Sequence, residues 1–118
     1  MKVVVIGASL NPRRYVYHAI KLLAEKNHEV IAIGKISGKI DDIKVSNNPT
    51  LIANVDTVTL YINPTIQADY YDHILALKPK RVIFNPGTEN GKLVELLKLN
   101  GIEYQFSCTL IMLKTGAF

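Results

Sequence analysis

The chain has 118 residues, 48% hydrophobic and 20% charged, with one cysteine, no tryptophan and a net charge of +4. That is the composition of one globular domain spanning residues 1–118, too short for two and too apolar for a disordered chain. The single Cys108 excludes an internal disulfide framework, and no apolar run approaches the roughly 20 residues of a membrane span, so a cytoplasmic protein that binds no membrane is expected.

Apolar runs of strand length alternate with amphipathic segments of helix length, the pattern of a parallel sheet covered on both faces. Lys2–Ile6 reads as a central strand, apolar without alternation, and it breaks at Gly7 too early for a signal peptide. Pro12–Lys26 reads as a helix capped by Asn11, because Val16, Ala19, Ile20, Leu23 and Ala24 recur at helical spacing; Asn27 ends it. Glu29–Ile33 is the second strand, followed by Gly34-Lys35. Residues 36–50 read as a loop with a short edge strand around Lys44–Ser46.

Asp56–Ile62, rich in β-branched residues, is the next strand, and Asn63-Pro64 ends it and opens a helix over Thr65–Leu77 closed by Pro79. Arg81–Phe84 is a strand, Asn85-Pro86-Gly87 a turn, and Glu89–Leu99 a helix ended by Asn100-Gly101. Ile102–Phe106 is the last strand, with a short helix or tail at Leu110–Leu113. The expected fold is a three-layer α/β domain, a doubly wound sheet of five to six parallel strands with right-handed crossovers.

Ligands of such sheets sit at the carboxyl ends of the strands. There the chain carries Gly7-Ala8-Ser9, Gly34-Lys35, Ile62-Asn63-Pro64 and Asn85-Pro86-Gly87, all expected to converge on one crevice. A strand, a tight turn at Gly7 and a helix start aim backbone N–H groups and a helix dipole at one spot, where Arg14 adds a charged donor: a place for a phosphate. A dinucleotide site would want G-x-G-x-x-G and a later acidic residue for the ribose. Gly7-x-Ser9-x-x-Pro12 has one glycine of the three, and the second strand ends in Lys35 instead of an acid. That disfavours NAD and favours a ligand with an extra ribose phosphate, NADP or coenzyme A.

Gly7-Ala8-Ser9-x-Asn11-Pro12-x-Arg14, His28-x-Val30, Asn63-Pro64, Asn85-Pro86-Gly87-Thr88-Glu89-Asn90 and Cys108 resemble the small stand-alone CoA-binding proteins. That family is similar to the Rossmann-like CoA-binding domain of the succinyl-CoA synthetase α subunit. The resemblance covers essentially the whole chain. It implies coenzyme A across the strand ends, with phosphates near Gly7, Ala8, Ser9 and Arg14, and the adenosine toward the end of the second strand. The chain departs there: the family's Pro-Val-Asn-Pro is Ala32-Ile33-Gly34-Lys35, where Lys35 would meet the 3′-phosphate. The cofactor-binding candidates are therefore Gly7, Ala8, Ser9, Asn11, Pro12, Arg14, Ile33, Gly34, Lys35, Ile62, Asn63, Pro64, Pro86 and Gly87.

The synthetase's phosphorylated-histidine loop has no counterpart here, and no Ser-His-Asp, Cys-His or paired-carboxylate pattern stands out. The expectation is a module that binds CoA or acyl-CoA without turnover, as carrier, sensor or regulator. An NADP-binding oxidoreductase or redox sensor is the alternative, and a degenerate protein-interaction domain a third. His18, His28 and His73 lack metal-ligand spacing, so no metal is expected. Scattered lysines argue against nucleic acid, a one-sided edge strand could support a homodimer, and Cys108 reads foremost as a small buried hydrophobe.

Overall fold

The computed structural model describes residues 1–118. Its strands are β1 (Lys2–Ala8), β2 (Glu29–Gly34), β3 (Gly38–Ile40), β4 (Ile43–Ser46), β5 (Thr57–Leu60), β6 (Arg81–Phe84) and β7 (Glu103–Phe106). The helices are α1 (Tyr15–Glu25), α2 (Pro64–Gln67), α3 (Tyr71–Leu77), α4 (Gly91–Leu99) and α5 (Thr109–Thr115). The strands form one seven-stranded sheet in the order β3-β4-β2-β1-β5-β6-β7, parallel throughout except for β3 against β4. It is a Rossmann-like α/β fold with one strand more than the upper expectation.

The continuous apolar run of β1 has a direct structural cause. Val3, Val4, Val5 and Ile6 are fully buried, and successive side chains enter opposite layers. Val3 and Val5 pack with Val16, Ile20 and Leu23 of α1 and Leu113 of α5. Val4 and Ile6 pack with Ile74 and Leu77 of α3 and Leu93 and Leu97 of α4. Burying each such side chain contributes about 1.5–3 kcal/mol, so β1 anchors both halves of the core.

Several boundaries differ from expectation. The extra strand comes from residues 36–50: β3 and β4 form an antiparallel hairpin turning at Asp41, which takes a positive φ of 52°. A three-residue edge strand beginning with glycine leaves little periodic signal. The strand expected over Asp56–Ile62 is shorter at both ends, placing Tyr61 and Ile62 beyond β5. The single helix expected over Thr65–Leu77 is broken into α2, a 3-10 turn at Ala68–Tyr70, and α3. The break falls beside Gln67, which is fully buried and bonded through Nε2 to the carbonyls of Ile62 and Thr88. α3 ends at Leu77 because Lys78, ahead of Pro79, is excluded from the helical region and takes φ 49°. α4 starts two residues later than expected, with Asn90 as its cap: the Asn90 carbonyl oxygen Oδ1 accepts from the amides of Lys92 and Leu93.

The strand order reverses about β1. β2 and β4 extend to one side, β5, β6 and β7 to the other. Connections leaving β1 and β5 run to opposite faces, so a crevice opens beyond their carboxyl ends.

Candidate functional site

β1 delivers the chain into this crevice through Gly7. Its φ is +98°, and a Cβ there would stand 2.8 Å from the Tyr61 carbonyl carbon. Only glycine lets the ends of β1 and β5 pass this closely, and the β1–β2 register slips between Ile6 and Ala8 as the backbone turns.

The turn that follows differs from the expected helix start. Ser9 Oγ accepts from the Asn11 amide at 3.1 Å, and Asn11 Oδ1 accepts from the Arg13 amide at 3.0 Å. The Arg14 amide then donates to the Asn11 carbonyl at 3.0 Å. Asn11 thus caps a local turn rather than a helix, Pro12 lies within that turn, and α1 begins only at Tyr15. Arg14 holds the cap position in extended backbone, with no side-chain cap bond. Consequently the amides of Tyr15 and Val16 donate to no group of the protein, and the first turn of α1 has no acidic residue. Ser9 Oγ accepts one bond and keeps its own proton available to donate.

These groups open onto a cleft of about 460 Å³ lined by Gly7, Ala8, Ser9, Leu10, Arg14, Tyr15, Val16, Lys35, Ile36, Tyr61 and Ile62. Arg14 and Lys35 are both exposed, and no carboxylate lines the cleft. The lining therefore combines two unopposed cations, free amides and apolar side chains, a donor set suited to a polyanion bearing a flat or aliphatic portion. Tyr61 forms part of the floor. Burial pushes its phenol well above the usual range, with Cys108 adding to the effect, and its enclosed hydroxyl has no hydrogen-bond partner.

Six of the expected binding residues, Gly7, Ala8, Ser9, Arg14, Lys35 and Ile62, line this one cleft. Asn11 and Pro12 shape its turn without lining it. Ile33 is buried in the core, and Gly34 lies with its Cα against the Ala8 carbonyl, where a Cβ would be 2.2 Å from the oxygen. Asn63 caps α2 through Oδ1, accepting from Ile66, with Pro64 in its first turn. Pro86 and Gly87 lie outside the cleft, so three strand ends converge there and the end of β6 does not. Leu10, Tyr15, Val16, Ile36 and Tyr61 were not among the expected residues. Each lies within two positions of an expected residue, but nothing in its own type marks it; Tyr15 is 79% exposed.

The Asn85-to-Asn90 block is instead structural. Asn85 is buried; its Nδ2 donates to Thr59 Oγ1 and the Leu60 carbonyl, and its Oδ1 accepts from the Thr109 amide. Thr88 Oγ1 donates to the Asn85 carbonyl, and Glu89 accepts from the Gly87 amide within the turn, where a helix start was expected. Asn90 Nδ2 donates to Gln67 Oε1 and Tyr71 Oη. Thr59 and Thr109 share a further bond of 2.8 Å.

Elsewhere, His28 lies beside the Met1 amino nitrogen, 3.2 Å from Nδ1, and burial, that ammonium and Arg81 lower its pKa. His18 and His73 bind the carbonyls of Pro12 and Thr50. No three His, Cys, Asp or Glu side chains come together as a metal site. Cys108 is half-buried at the start of α5, more accessible than a core residue. No helix is long and apolar enough to cross a membrane.

The fold is a Rossmann-like α/β domain with a cleft at the switch point of its sheet. The family model described as "CoA binding domain" matches residues 1–114, and the chain belongs to that family. A crystal structure of an uncharacterized protein is similar at 49% identity and TM-score 0.95, covering 99% of this chain and 97% of that one. A protein from Thermus thermophilus, cell-free ID.343, shares the fold at 20% identity and TM-score 0.84, covering 99% and 90% of the respective chains. A further structure, Prb, described as the PH1109 protein redesigned for binding, shares the fold at 17% identity and TM-score 0.86, covering 98% and 82%. No curated protein matches the chain.

Proposed function

We propose that this domain binds coenzyme A, or acyl-CoA, in the cleft beyond β1, β2 and β5, and acts in the cytoplasm as a carrier, sensor or regulatory module without turnover of its own. The observation that carries this reading is the cleft itself: the switch point of a CoA-binding-domain fold holds two free amides and two unopposed cations, with no carboxylate. The Gly7–Ser9 turn acts as a phosphate-binding loop. The pyrophosphate lies against it, taking hydrogen bonds from the free end of α1, from Ser9 Oγ and from Arg14. Asn11 and Pro12 hold the turn; Ile33, Gly34, Asn63, Pro64, Pro86 and Gly87 frame the strand ends rather than touch the phosphates.

The second reading, an NADP-binding redox module, draws on Lys35, which stands where a dinucleotide site specific for NAD would place an acid. Titration calorimetry separates the two. Heat with CoA at micromolar to low millimolar concentration, and little with NADP, is the expected result; binding of NADP without CoA overturns the proposal. A thermal shift gives an independent check, since ligand at one hundred times its Kd adds about 2.7 kcal/mol of stability.

A further inference from the structure

The sheet has two open edges, β3 and β7, and they are not alike. β3 is three residues long, carries exposed Lys39 at its centre and folds back on β4 as a hairpin. A short strand bearing a lysine resists the addition of another strand. β7 has no lysine and no proline, and its one charged residue, Glu103, stands at its start.

The ladder to β6 decides which backbone groups of β7 are left over. The Glu103 amide donates to the Lys80 carbonyl and the Ser107 amide to the Phe84 carbonyl, with Glu103 in register with Arg81 and Gln105 with Ile83. Successive residues of a strand turn their backbone groups to opposite sides, so Glu103 and Gln105 serve β6. The amides and carbonyls of Tyr104 and Phe106 therefore point off the edge, where no strand of this chain lies. The next groups along are already used: the Ile102 amide donates to the Leu97 carbonyl, and the Cys108 carbonyl accepts from the Met112 amide.

The side chains of the same two residues share one face of the sheet with Phe84. Ring centroids are 5.3 Å apart for Phe84 and Phe106 and 5.8 Å for Tyr104 and Phe106. Phe84 is fully buried, whereas Phe106 is 54% exposed. The aromatic cluster is thus packed at its inner end and bare at the edge.

We infer that β7 pairs antiparallel with β7 of a second copy of this chain, about a two-fold axis at Gln105, so that one sheet runs through the dimer. In this register Tyr104 of each copy lies opposite Phe106 of the other, and each such pair exchanges both of its backbone bonds. The two Gln105 residues face each other without backbone bonds. Every group used is one that the isolated chain leaves free. A slip of two residues either way draws on the committed Ile102 amide or Cys108 carbonyl instead. Residues opposite each other in an antiparallel pair share a face, so the bare rings cover one another, and Glu103 meets Ser107 rather than a like charge. A four-residue edge is smaller than a standard interface, and the association is correspondingly weak.

The experiment is sedimentation velocity on the full chain, from about 1 µM to about 1 mM, where the species should shift from one copy to two. Phe106→Pro removes an outward donor without touching the ladder to β6 and should weaken the dimer roughly ten- to hundredfold. Phe106→Lys should weaken it similarly by placing a charge on the edge. Both variants should melt close to the unaltered chain. Gln105→Cys in a Cys108→Ser background should form a cross-linked dimer on mild oxidation, because opposite residues in a non-hydrogen-bonded pair lie about 4.5 Å apart at Cα. Lys39→Cys in the same background, on the other edge, should not. A dimer indifferent to both Phe106 substitutions, or cross-linking through Lys39→Cys and not Gln105→Cys, overturns the inference. A chain that sediments as a monomer throughout also overturns it and leaves β7 to a strand of some other protein.

Discussion

Two turns in this chain look alike on paper: Gly7-Ala8-Ser9 after β1 and Asn85-Pro86-Gly87 after β6. Both follow a buried parallel strand, both contain a glycine at positive φ, and each carries one polar side chain, Ser9 or Asn85. Their hydrogen-bonding accounts are opposite. At the end of β6, the Asn85 carboxamide is bonded at both ends, Thr88 and Glu89 are committed to bonds within the turn, and Asn90 to Gln67 and Tyr71. At the end of β1, the amides of Tyr15 and Val16, the Ser9 proton and Arg14 have no protein partner, and neither does Lys35 facing them from the end of β2. A polar turn can serve a ligand only with capacity the fold has not already used.

Breaking Asn85 should have the largest effect on stability. Asn85→Ala leaves the buried Thr109 amide without its acceptor and removes two donated bonds, an expected loss of about 3–4 kcal/mol in urea denaturation. A loss under about 1 kcal/mol would mean that the β6 turn is not the committed region described above. Gly7→Ala should come next, at about 2–3 kcal/mol, because it combines positive φ with a 2.8 Å approach to the Tyr61 backbone. Here the backbone of the cleft, not its side chains, bears on folding; retention of near-normal stability would show that β1 and β5 can separate. Arg14→Ala sharpens the contrast from the other side. The denaturation midpoint should move little, by less than about 0.5 kcal/mol of stability, while calorimetric affinity for CoA falls roughly tenfold. If stability drops and affinity holds, the roles assigned to the two turns are reversed.

Much of the fold was legible without coordinates. β1 and β6 were readable because a strand buried on both faces must be apolar throughout, and α1 because its buried positions recur every three to four residues. The β3 edge strand, the break beside Gln67 and the late start of α1 were not. Each depends on a contact between residues distant in sequence, or on which of two local hydrogen bonds prevails. Asn11 illustrates the second case: as a residue type it suits a helix cap or a tight turn equally, and the Arg13 amide took its carboxamide first.

Local chemistry by itself determined the strand and helix alternation, a glycine free to take positive φ after β1 and the presence of cations near two strand ends. These follow from periodicity, from φ preferences and from charge, all properties of short stretches of chain. Tertiary structure alone decided that the end of β6 stays out of the cleft shared by Arg14 and Lys35, and that the polar residues after β6 bond to β5, α2, α3 and α5. The reason is physical: a buried donor or acceptor must find a partner wherever the packed layers bring one, and sequence spacing does not record which group arrives there.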